Sequence, residues 1–250
     1  MKTLLKKWFP PMMDSLNGGH IFAAFAYWFP AFILLPFIFT LAPSVGLQST
    51  YSLSWVDCIF CAINSIAVAL ILKEHLKDSL FFIQLHARAF AGTIGIAVGF
   101  MVLWLVIVFD IGIAIGDWYL VVNNFPLTPM ILHVVPGVMA SNLPIWGTLC
   151  IALLVPFAIT GLFYAPGFAP VCKNKPWLAY LCVAFVILLP AAFYIFWRGN
   201  AVDVMTLYIL QLPIHLIACW SYQKTDSVWA PVVSLSIINL LTSLVNIFFT

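Results

Sequence analysis

The chain has 250 residues, 64% of them hydrophobic and only 7% charged, with a net charge of +2. Soluble domains carry about 25% charged residues, so composition excludes an ordinary soluble enzyme or binding module. The cations are dispersed, with no basic stripe, which excludes nucleic acid as a partner.

Residues 1–20 form an N-terminal interfacial segment. Lys2, Lys6 and Lys7 would begin a leader, but Pro10, Pro11, Asp14 and Asn17 follow instead of an apolar run, so no cleaved signal is expected. Trp8, Phe9, Met12 and Met13 set residues 4–16 on the membrane surface. Residues 21–250 read as one helical membrane domain. A membrane helix needs roughly 20 apolar residues. Seven runs meet that length approximately: 21–42, 53–72, 90–116, 145–165, 177–197, 202–221 and 228–249. Between the second and third lies 73–89, with Lys73, Glu74, His75, Lys77, Asp78, His86 and Arg88, which is expected to be a loop or surface helix. The stretch 117–144 is cut by Pro126, Pro129, Pro136 and Pro144 and suits an interfacial or re-entrant segment.

Lys/Arg counting fixes the orientation. With seven spans, Lys2, Lys6, Lys7, Lys73, Lys77, Arg88, Lys173, Lys175 and Lys224 all fall on one side, and Arg198 alone on the other. Cations collect on the cytoplasmic side. The fold class is therefore an all-α polytopic membrane protein with about seven transmembrane helices, N-terminus cytoplasmic and C-terminus outside.

Few polar groups interrupt the spans. Asp57 and Asp110 sit near predicted outer helix ends and read as wetted carboxylates. Gln211, His215 and Asn239 are candidates to line a cavity between the sixth and seventh helices. For His215, a neutral ring bonded to a carbonyl released by Pro213 is an equal reading. Glu74 and His75 are weak catalytic candidates, weighed against a plain charged cytoplasmic helix. Cys58 and Cys61 form a C-x-x-C without a second pair, so buried thiols are expected. No metal site or cofactor is expected.

The segment Tyr222-Gln223-Lys224-Thr225-Asp226-Ser227-Val228-Trp229-Ala230-Pro231 resembles the start of the last conserved helix of CPBP intramembrane proteases. That family includes CAAX prenyl endopeptidases and bacteriocin-immunity or Abi proteins. Its pattern is Y-x-x-T-G-S-x-W-A-P-I, then H-x-x-x-N. Asp226 stands in place of the glycine, Leu235 in place of the histidine, and Asn239 falls on the asparagine. Leu154–Phe168 resembles the helix that carries E-E-x-x-x-R, and Asn174–Ala179 the link that follows. Phe157 and Ala158 occupy the two glutamate positions and Leu162 the arginine. Glu74 is the only glutamate in the chain, so a shift of register supplies no substitute. The likeness covers about 155–245.

A family site needs a titratable carboxylate and histidine to activate water. Phe157, Ala158, Leu162 and Leu235 have no such groups, and an asparagine at 239 donates hydrogen bonds but takes no proton. The resemblance thus implies a protease-like membrane protein without proteolysis, in a bacterial inner membrane. Its expected partners are membrane lipid and either a membrane protein or a lipid-modified peptide. Two alternatives stand beside it. One is an endopeptidase whose catalytic site has moved to Glu74 and His75. The other is a small transporter or channel with a path lined by Asn64, Gln211 and His215.

Overall fold

A computed structural model describes residues 26, 55–114, 153–154, 156–157, 160, 177–185 and 201–249. The described part is all helical. Five helices have defined bounds: α1 (Trp55–Ile71), α2 (Lys73–Leu85), α3 (Ala87–Ala114), α4 (Ala201–Thr225) and α5 (Trp229–Phe249). Residues 177–185 are helical as well. The runs 53–72, 90–116, 202–221 and 228–249 correspond to α1, α3, α4 and α5. The runs 21–42 and 145–165 and the segments 4–16 and 117–144 lie wholly or mostly outside the described residues. So do the side chains of Cys58, Cys61 and Gln211.

Among the described residues one helix, Ala87–Ile107 within α3, is long and apolar enough to cross a membrane. Its 21 residues reach about 32 Å at the helical rise, close to the thickness of a hydrocarbon core. One side of α3 carries the buried Ala97 and Met101. Ile96, Phe100, Leu103 and Ile107, spaced four, three and four, stay open. Large side chains left open along a whole helix suit lipid far better than water. The helix packs along both α4 and α5, which also pack on each other. Met101, Ile214, Ala218, Leu235 and Ile238 fill the described core.

Several buried hydroxyls in this apolar setting are satisfied within their own helices. Thr93 donates to the Ala89 carbonyl (3.0 Å), Thr225 to Ser221 (2.8 Å) and Ser234 to Ala230 (2.8 Å). An i−4 bond of this kind removes the cost of burying a hydroxyl.

The segment 73–89, expected as a loop or surface helix, is helix α2 up to Leu85. One residue on each side joins it to its neighbours. Leu72 N–H donates to Val68 (2.9 Å) and Leu76 N–H to Leu72 (2.9 Å), so helical bonding passes through the α1–α2 joint. At the other end His86 N–H donates to Ile83 (3.2 Å) and Phe90 N–H to His86 (3.0 Å). His86 thus lies beyond α2.

The α4–α5 turn explains why its residues are what they are. α4 stops because Asp226 turns left-handed, with φ 49°. Its N–H donates to the Tyr222 carbonyl (2.7 Å), the single bond of an αL helix end. Ser227 then caps α5, its Oγ accepting from Trp229 N–H (3.2 Å). Pro231 has no N–H to give the Ser227 carbonyl, and Ala230 N–H takes it instead (3.4 Å). Glycine suits the left-handed position at no steric cost, and an aspartate tolerates it better than most residues. Asp226→Gly should therefore hold stability level or raise it by up to ~1 kcal/mol, and Asp226→Val should lower it by about 1–2 kcal/mol. Thermal unfolding of the two purified variants in detergent checks this; equal stability would contradict it.

Candidate functional site

Two polar contacts between distant parts of the chain lie where α2 meets the α4–α5 turn. α2 presents His75, Leu76 and Ser79 inward, at the spacing of one helix face. The Tyr222 hydroxyl lies 3.5 Å from His75 Nε2, both groups buried. Trp229 Nε1 donates to the Leu76 carbonyl at 3.5 Å. These are long hydrogen bonds, so shape and apolar contact hold the junction more than hydrogen bonding does.

The same indole meets Phe157, with ring centroids 5.6 Å apart and planes tilted by 35°. That separation and tilt fall within the favoured range for an aromatic pair. One turn before Phe157, the Leu154 carbonyl accepts from Ser65 Oγ of α1 (3.2 Å). One turn after it, Thr160 is buried. Trp229 therefore touches both α2 and the segment around 157, and the site is built around it.

Two hydroxyls at this junction depart from the back-bonding pattern. Ser79 Oγ and Thr160 Oγ1 are fully enclosed and have no hydrogen-bond partner, as does Ser236 Oγ farther along α5. A buried hydroxyl without a partner costs about 1–3 kcal/mol.

The sequence candidates are placed as follows. Glu74 is exposed while His75 beside it is buried, so the two point to different surroundings. Asn239 and His215 are buried on α5 and α4, two helices packed together. Asn64 is buried on α1. Gln211 belongs to α4, with its side chain outside the described set. Leu235 is in the core, Phe157 is half-buried against Trp229, and Ala158 and Leu162 lie outside the described residues. Asp110 is exposed. Cys219 is a buried thiol and Cys182 a half-buried one. Among the described residues no three His, Cys, Asp or Glu side chains are grouped to hold a metal ion.

Sequence reasoning gave Tyr222 and Trp229 only as motif positions. Their contacts with α2 depend on how a charged connection folds back on the bundle. The one signal for it was faint: His75, Leu76 and Ser79 on a single face of an otherwise charged stretch.

No family model matches the chain, and no curated protein and no solved structure is similar to it.

Proposed function

We propose that the chain is a CPBP-like polytopic membrane protein without proteolytic chemistry, which binds a partner protein or a lipid-modified peptide in an accessory or immunity role. It would cross a bacterial inner membrane about seven times, with its N-terminus in the cytoplasm. The observation that carries this reading is the Phe157–Trp229 pair. Phe157 occupies a position where the resembling family has a catalytic glutamate, and here it packs as an aromatic side chain on the motif tryptophan. Leu235, at the histidine position, is buried in the described core. Neither side chain carries a group that can activate water. A relocated site would require Glu74 and His75 to work together, and their opposite exposure argues against that.

Binding is tested with a photoreactive farnesylated peptide and its unprenylated twin, added to the purified chain in nanodiscs. The reading expects intact farnesylated peptide crosslinked within 153–160 or 222–239, and weaker labelling by the twin. Equal, diffuse labelling along the chain would overturn the peptide-binding form of the proposal.

A further inference from the structure

We infer that α2 is an interfacial helix whose outer face binds anionic lipid headgroups. The inference rests on the reading that α3 crosses the bilayer. Its geometric basis is the pair of one-residue joints. Leu72 ties α2 to the apolar α1, and His86 ties it to the first residues of the membrane-length stretch. Both ends of α2 are thereby attached to the ends of apolar helices.

Its outer face has the composition that such a place calls for. Leu80, Phe81 and Leu85 are 48%, 63% and 64% exposed. They occupy the end of α2 that runs into α3, whose open large apolar side chains begin at Ile96. Water disfavours such a group, whereas the headgroup–acyl boundary accepts it. Lys73 and Lys77, one turn apart, are exposed on the first half of the helix, and Arg88 is exposed just past its end. Against these three cations, Glu74 is the one fully exposed carboxylate, because Asp78 is half-buried. Headgroup phosphates complement that excess. Lysine supplies a flexible point charge and arginine a planar fork for phosphate oxygens.

The full chain is reconstituted in vesicles of POPC alone and of POPC mixed with POPG, floated to confirm insertion, and followed by hydrogen–deuterium exchange. Each lysine near an anionic surface should contribute about fivefold, so the two together should slow amide exchange over 78–85 roughly thirtyfold in the POPG vesicles. Lys73→Gln with Lys77→Gln should abolish the difference while exchange in α3 stays unchanged. Lys224→Gln, in the last turn of α4 and off the outer face of α2, should keep it. Insertion without any POPG effect on α2 would overturn this inference and leave the membrane reading standing. A chain that fails to float would overturn both. A POPG effect that survives loss of both lysines would assign the slowing to something other than this face.

Discussion

Trp229→Ala should lower the unfolding free energy by about 3–4 kcal/mol, within the usual range for removing a large aromatic side chain. The size follows from what one indole joins. It packs on Phe157, donates to the Leu76 carbonyl of α2, and is the first residue of α5, next to the Ser227 cap. Removing it frees α2 from the α4–α5 turn and leaves Phe157 without its ring partner. A double-mutant cycle with Phe157→Ala separates the shared part. Aromatic pairs contribute about 0.5–1.5 kcal/mol beyond their area, so the two losses should fall short of additivity by about that amount. Unfolding in detergent, followed by near-ultraviolet circular dichroism, measures each variant. Full additivity would mean that Phe157 and Trp229 are neighbours without coupling.

Leu235→Ala should cost about 2–5 kcal/mol. Leu235 is fully enclosed on α5, which packs against α3 and α4 together. Loss of its methyl groups leaves a void that three packed helices cannot easily close. Leu235→Met, which keeps the volume, should cost less than about 1.5 kcal/mol. Leu235→His is the instructive comparison, because it restores the residue type that the resembling family places there. A histidine in this enclosed position must find hydrogen-bond partners without water, and its cost should approach that of the alanine variant. If Leu235→His were as stable as the native chain, a polar cavity would have to exist at that point.

Apolar runs made the helical layout of the described residues legible in the sequence. The bounds of α3, α4 and α5 fall within a few residues of the runs that announced them, because twenty apolar residues in a row leave few other structures open. The turn at 226–231 was legible only as the start of a helix motif. Its left-handed residue was not, since aspartate there hides a conformation that glycine would have advertised. The site was legible only as a list. Phe157, Trp229 and Tyr222 stood in the motif analysis, but nothing in the spacing told that the indole would bridge to Leu76 or that His75 would turn inward toward Tyr222. Such contacts join residues about 150 positions apart, as with the 147 separating His75 from Tyr222. Periodicity reports on neighbours within a helix and carries no information at that range. Ser79 and Thr160 went unremarked for a related reason: a hydroxyl's lack of an i−4 partner is a property of the fold.

The central claim is that this chain binds without cutting. The most direct measurement is peptide cleavage by the purified native chain against a mixed library of plain and prenylated peptides, with Glu74→Ala and Asn239→Ala in parallel. We expect no cleavage above background from any of the three proteins. Cleavage by the native chain that disappears in Glu74→Ala would contradict the claim and place a working active site on α2; cleavage lost only in Asn239→Ala would place it in the bundle beside Leu235.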